Sequence, residues 1–233
     1  MTASGLAGAL TLKEEVSDFK RRRIREEACR LFYQDGYENA TLEAVAKKLQ
    51  ITKPSIYQHY ANKGELLFDI CKTGISLSLE AVEQAVALRT TPSRRLMALT
   101  ESVLNIIFNY QEFIVVYTRE EKHLDRAQAR AIRELRSAFD HKLSTLLAQG
   151  SAAKELAVED PVLTATTIGG IMTWVSLWYS PSGKRTQVEI VTHVKEMILR
   201  LVLVSDDSDK PQATNAQSVV SLAGQTVESE SND

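Results

Sequence analysis

Apolar positions recur at helical spacing from one end of the chain to the other. Ile24, Ala28, Leu31 and Phe32 fall at i, i+4, i+7 and i+8, one apolar stripe opposed by charged residues, and Gly36 supplies the residue that ends this helix near Asp35. Thr41 is an N-cap for a helix over 42–49, with Glu43 favourably placed in its first turn. Gln50-Ile51-Thr52 breaks the pattern. A second short helix follows, with Pro54 in its first turn, where the missing N–H costs little. Asn62 and Glu65 have the spacing of a capping box, opening a long helix to about Arg89.

The remainder repeats the theme. Thr91-Pro92 and Asp160-Pro161 are cap-then-proline helix starts, and Gly150 marks the stop of a helix beginning near Asp125. Ser180-Pro181-Ser182-Gly183 forms a turn, after which 188–204 make the last apolar-rich helix. No strand alternation persists and no internal repeat stands out. The pattern predicts an all-α chain of about nine helices, three short ones in the first 60 residues and a larger helical bundle after them. Residues 1–16 read as a flexible start, 17–62 as a first domain, 63–204 as a second, and 205–233, rich in Asp, Ser, Gln and Asn without an aromatic residue, as a disordered acidic tail.

Composition supports a globular helical protein: of 233 residues, 44 % are hydrophobic and 25 % charged, and collagen-like or wholly disordered classes are excluded. The net charge of −2 taken alone argues against a nucleic-acid binder. Its distribution argues the other way. Residues 17–63 hold ten Lys/Arg against six acids, a local +4, and residues 205–233 hold one Lys against six acids, a local −5. Cys29 and Cys71 are too few for a disulfide framework or a zinc motif and agree with a reducing cytoplasm. The stretch 161–183 carries no charge, but its Thr and Ser residues suit a buried helix at an interface better than a membrane span.

The chemistry concentrates in residues 41–60, TLEAVAKKLQITKPSIYQHY. Two short helices joined by a tight turn share a small core of Ala44, Val45, Leu49, Ile51 and Ile56, leaving Lys53, Ser55, Tyr57, His59 and Tyr60 partly free. This is helix-turn-helix spacing, in which the second helix lies in the DNA major groove; hydroxyls, a lysine and aromatic rings there suit phosphate contact and base-edge readout. An ordinary helical hairpin with surface Tyr and His has the same spacing.

The run from Arg21 to Ile70 resembles the DNA-binding domain of the TetR (tetracycline-repressor) family of bacterial regulators. The marks are Ala28-x-x-Leu31-Phe32, Gly36-Tyr37, Thr41, the stretch 46–49, Ser55-Ile56-Tyr57-x-His59-Tyr60 and Lys63-x-Glu65-Leu66-Leu67. Pro54 and Tyr60 depart from the usual residues, a small or β-branched one and Phe. The resemblance implies that Thr41 caps the first helix of the motif and touches a phosphate, that Thr52, Lys53, Pro54 and Ser55 begin the recognition helix, that Tyr57 and His59 project from it, and that Lys63 stands beside the DNA backbone. Tyr60 is open between DNA contact and packing, because its family counterpart is apolar. The Lys20-Arg21-Arg22-Arg23 cluster is open between DNA contact and a solvated helix start.

The same resemblance implies a C-terminal ligand-binding and dimerisation domain, a homodimer through the helices near 161–179 and 188–204, a pseudo-palindromic operator, and a small-molecule inducer that releases a repressor. No cofactor is expected. Candidate ligand contacts are Phe108, Phe113, Tyr117, Met172, Trp174 and Trp178 as apolar walls with polar tips, and Arg119, Arg126, Arg130 and Arg133 as the place for an anionic head. The Arg set also reads as a solvated face paired with Glu134 and Asp140. Gly169-Gly170-x-x-x-Trp174 and the segment 178–183 resemble a subgroup responding to acyl-CoA thioesters, with lipophilic or aromatic efflux inducers as the alternative. An enzyme is not expected: HExxH, Walker A and GxGxxG are absent, His59, His123, His141 and His193 are scattered, and Ser151-x-x-Lys154 lacks its companion motifs. A hydrolase or a helical adaptor that binds no DNA is the remote reading.

Overall fold

A computed structural model describes residues 11–203; the expectations for the first ten residues and for the acidic tail lie outside them. Nine α-helices follow one another among the described residues: α1 Leu12–Asp35, α2 Leu42–Leu49, α3 Lys53–Tyr57, α4 Lys63–Ala87, α5 Pro92–Asn109, α6 Gln111–Glu120, α7 Arg126–Ala152, α8 Pro161–Trp178 and α9 Gln187–Val202. The architecture is all-helical, as the apolar periodicity predicts.

Helix starts follow side-chain caps. Thr41 Oγ1 accepts from Ala44 N–H at 3.1 Å, Asp160 Oδ1 from Leu163 N–H at 2.9 Å, and Asp125 shares a reciprocal capping box with Gln128. At α4, Asn62 Oδ1 accepts from Glu65 N–H at 2.8 Å, but the Glu65 carboxylate reaches Ala61 N–H rather than the cap residue itself. Helix α1 begins at Leu12, inside the stretch read as a flexible start, because Thr11 and Glu14 form a capping box that apolar periodicity does not reveal. Helix α7 runs past Gly150 to Ala152 and ends where Lys154 turns to φ 57°. Gly150 instead makes room for a close approach, since a β-carbon there would collide with the Leu156 side chain, which folds back onto the helix.

Two apolar clusters organise the chain. One gathers Ile24, Ala28, Phe32, Val45 and Ile56 and continues without a break into Leu66, Leu67 and Ile70 of α4 and Phe113 and Val116 of α6. The other joins the later part of α4 to α5, α7, α8 and α9. Helices α4 and α7 therefore belong to both clusters, α7 through Ile132 in the first, and residues 11–203 pack as one unit.

Candidate nucleic-acid interface and ligand cavity

Helix α3 is five residues long and is held by a single buried apolar side chain, Ile56, so the rest of its surface is available. Tyr57 is 48 % exposed, and Thr52 and Pro54 are exposed beside it. The Thr52 and Ser55 hydroxyls share a hydrogen bond of 2.9 Å across the helix start. Lys53 pairs with the Glu43 carboxylate of α2, and its ammonium stands 5.9 Å from the Tyr57 ring centre. His59 is half-buried, and burial with the nearby Lys20 and Arg21 charges holds its imidazole below the ordinary range. The first basic turns of α1 thus border the end of the α3 segment.

Tyr60, left open between DNA contact and packing, and Lys63, expected beside the DNA backbone, both make contacts within the protein. Tyr60 is buried, 1 % exposed, and its hydroxyl donates to Asp69 Oδ2 at 2.6 Å. Arg21 Nε and Arg25 Nη1 reach the same carboxylate at 3.2 and 3.3 Å, and the Arg21 guanidinium lies 4.9 Å from the Tyr60 ring centre. Tyr60 is therefore a packing residue whose hydroxyl ties the end of the motif to α1 and α4. Lys63 donates to the Glu38 and Ala40 carbonyls at 3.2 and 2.8 Å and sits 4.3 Å from the Tyr37 ring centre. Lys63 thereby closes the α1–α2 loop. That loop is also held from α6, where Glu120 Oε1 accepts the Tyr37 N–H at 3.3 Å and His123 approaches Glu120 at 3.5 Å.

A cavity of about 340 Å³ lies between α4, α5, α6, α7 and α8. Its walls are stripes at helical spacing: Cys71, Gly74, Ile75 and Ser78 on α4, Phe113, Ile114 and Tyr117 on α6, Arg136, Phe139 and Asp140 on α7, Thr166, Gly169, Gly170 and Thr173 on α8. Burial pushes the Tyr117 hydroxyl up to about 12, although the Arg136 guanidinium 5.3 Å from its ring centre opposes the shift. Burial also raises the Asp140 carboxyl against the same arginine.

Of the expected ligand contacts, Phe113, Tyr117 and Met172 line this cavity. Phe108 does not: it packs at a tilt against Tyr179, ring centres 4.6 Å apart, in the core behind. Arg119 points to α1, 5.7 Å from the Tyr33 ring centre. Arg126, Arg130 and Arg133 are exposed on α7 and outside the walls, and Arg130 is paired with Glu134 at 2.8 Å. Trp174 and Trp178 are 62 % and 49 % exposed on the opposite face of α8, where they line a groove against α9. With no charged residue to mark its solvent side, α8 hides in its sequence which apolar face meets the cavity and which faces outward.

Sequence reasoning missed Asp69 and the Glu120–Tyr37 contact, since both join residues far apart in the chain. The stripe of Cys71, Gly74, Ile75 and Ser78 was readable at i, i+3, i+4 and i+7, but an ordinary core face has the same spacing.

The profile described as "Bacterial regulatory proteins, tetR family" matches residues 24–70, and that described as "Tetracyclin repressor-like, C-terminal domain" matches 89–202. The chain belongs to the TetR family. The family's proteins that it matches are transcriptional regulators and not enzymes. Among curated relatives, the HTH-type transcriptional activator FasR of Mycolicibacterium smegmatis is 28 % identical over 90 residues, 39 % of this chain and 41 % of that protein. The chain's match thus spans less than half of FasR. The fatty acid metabolism regulator protein of Bacillus subtilis is 19 % identical over 182 residues, 77 % of this chain and 94 % of its own length. The structure of AibR in complex with isovaleryl coenzyme A and operator DNA superposes with a TM-score of 0.69 at 24 % identity, covering 77 % of this chain and 97 % of AibR, which shows a shared fold. No helix among the described residues is long and apolar enough to cross a membrane.

Proposed function

We propose that this TetR-family chain is a ligand-responsive repressor that binds a pseudo-palindromic operator as a homodimer and is released by a small-molecule inducer, with acyl-CoA thioesters the first class to test. The observation that carries the reading is the shared helix: α4 holds the end of the recognition segment through Asp69–Tyr60 and, two residues later, begins the cavity wall at Cys71. Exposed Thr52, Pro54 and Tyr57, with His59 and the basic turn of α1 beside them, would face the duplex. In the homodimer, the outward apolar residues of α8 and α9, among them Leu163, Trp174, Leu177, Trp178 and Leu201, pack against their copies. Two recognition helices about 34 Å apart then read successive major grooves on one side of the DNA.

Ligand in the cavity displaces α4 and changes that separation. Thermodynamically this requires tighter ligand binding by the form that does not fit the operator; equal affinity for both forms shifts nothing. The acyl-CoA class is supported by the mainly apolar cavity with an arginine at its edge, by the fatty acid metabolism regulator among the relatives and by the isovaleryl coenzyme A complex among the structural neighbours. Cytoplasmic localisation goes with this role. The test is fluorescence anisotropy of the protein on DNA flanking its own gene, with and without acyl-CoA thioesters of graded chain length. Salt-sensitive binding reversed by one of them supports the reading; binding unchanged at saturation by every ligand that enters the cavity ends it.

A further inference from the structure

We propose that Glu43 of α2 is a specificity-determining residue: paired with Lys53 at the start of α3, it forms a donor–acceptor couple that reads one G·C base pair in each operator half-site and keeps Lys53 from binding phosphate at every sequence. The proposal rests on the reading above that α3 faces the duplex, and adds a residue outside the recognition helix and the base pair it selects.

Residues 41–63 contain four lysines and one acid, Glu43. Lys63 is tied to the Glu38 and Ala40 carbonyls, and Lys47 and Lys48 are exposed without an ion pair among the described residues. Lys53 has the acid of the motif as its partner. Thr41 caps α2 two residues earlier, which places Glu43 in the first turn, and from there its side chain crosses to α3. The ammonium it holds lies beside the exposed Tyr57 ring, so carboxylate, ammonium and phenol share the open surface of the motif.

Folding gives little reason for this pair. The two side chains are 62 % and 40 % exposed, and a surface ion pair in water adds little to stability. Beside DNA the carboxylate carries a cost, since it faces phosphates and cancels a charge that would otherwise attract them. An acid kept on this surface fits discrimination, in which weaker contact with all sequences is offset by a contact made with one.

The hydrogen-bonding positions left open by the pair specify its target. An ammonium has three donors, and with one given to Glu43 two remain. The carboxylate only accepts, and a single bond from Lys53 leaves most of its lone pairs free. A G·C pair presents in the major groove two neighbouring acceptors, guanine N7 and O6, followed by the cytosine N4 donor. Two donors beside an acceptor complement that order. An A·T pair sets its N6 donor between two acceptors and adds the thymine methyl, so one ammonium donor would meet a donor. Without the carboxylate, Lys53 is a flexible point charge suited to phosphate, which carries no sequence information.

The test is selection of sites by the full chain from a pool of randomised duplexes, followed by anisotropy titration of the selected site and of a scrambled duplex over a range of salt. Native half-sites are expected to fix one G·C pair whose preference falls about ten-fold in both Glu43→Ala and Lys53→Ala, with neighbouring positions unchanged. The double variant should lose less than the two single losses combined, because the residues act as a unit. Glu43→Gln keeps the shape and removes the charge. It should bind the scrambled duplex more tightly, with a salt slope steeper by about one per subunit, as the released ammonium takes a phosphate. Selected sites and scrambled-duplex affinity unchanged in Glu43→Ala, or a dependent position that is A·T, overturns the proposal; so does an equal loss at every sequence, the mark of a lysine bound to the backbone. A native chain that selects no site ends the operator reading and this inference with it. A native chain that selects a site which the variants select equally well ends this inference alone.

Discussion

Tyr60 Oη lies 2.6 Å from Asp69 Oδ2, joining the residue that closes the recognition segment to the second turn of α4. The same carboxylate holds Arg21 and Arg25 of α1, so three helical segments meet at one acid. Position 69 lies two residues before the first cavity-lining residue of α4. In the proposed gating, a shift of α4 would reach the motif through this short hydrogen-bonded contact.

Tyr60→Phe keeps the ring and deletes the hydroxyl. Asp69 retains both arginines, so the expected cost is about 1 kcal/mol in urea denaturation, the usual worth of one such bond. An unchanged denaturation midpoint would show that the phenol adds nothing to the junction.

Asp69 also sets an acid limit. Burial works to raise its carboxyl, but the Tyr60 hydrogen bond and the Arg25 and Arg21 charges outweigh it and hold the group below the ordinary carboxylate range. A folded value below the unfolded one contributes stability that is present above the unfolded value of about 3.9 and lost as pH falls through the lower folded value. Denaturation between neutral pH and about pH 3 should therefore show a steeper acid loss for the native protein than for Asp69→Asn. Parallel curves would remove Asp69 as the cause.

Tyr57→Ala and His59→Ala should weaken operator binding by about ten-fold or more each, the scale of one or two lost base or phosphate contacts. Tyr57 packs little, so its replacement should leave the melting temperature and the oligomer unchanged in the same preparation. Full operator affinity in both variants would place the reading surface elsewhere.

Trp174→Glu combined with Leu177→Glu places two charges on the outward face of α8, where the native side chains are 62 % and 46 % exposed. Light scattering should report a monomer with native helicity. A persisting dimer would move the interface off this face.

Gly150→Ala should destabilise the chain by about 1–3 kcal/mol, the range for overpacking a well-filled core. The added methyl collides with Leu156, which is buried and folded against α7. A neutral outcome in thermal denaturation would mean that the Leu156 loop moves aside freely.

The helices themselves were legible because their information is local. Thr41, Asp125 and Asp160 announce their own helix starts, and Ile24, Ala28 and Phe32 their own buried face. The uncharged run 161–183 was likewise readable as a helix needing partners on more than one side. What a repeat of 3.6 residues leaves unspecified is which neighbour each face meets. Tyr60 has the same pattern whether it touches DNA or Asp69, and Trp174 the same whether it walls a cavity or faces outward; the packing of α8 against α5, α6 and α7 separates the two cases. Lys63 and Asp69 owe their roles to backbone carbonyls and arginines more than 20 positions away in the chain. Local caps and periodicity settle which residues form helices, since those forces act within a few residues. The junction and the cavity arise from contacts between helices, which exist only once the chain has packed.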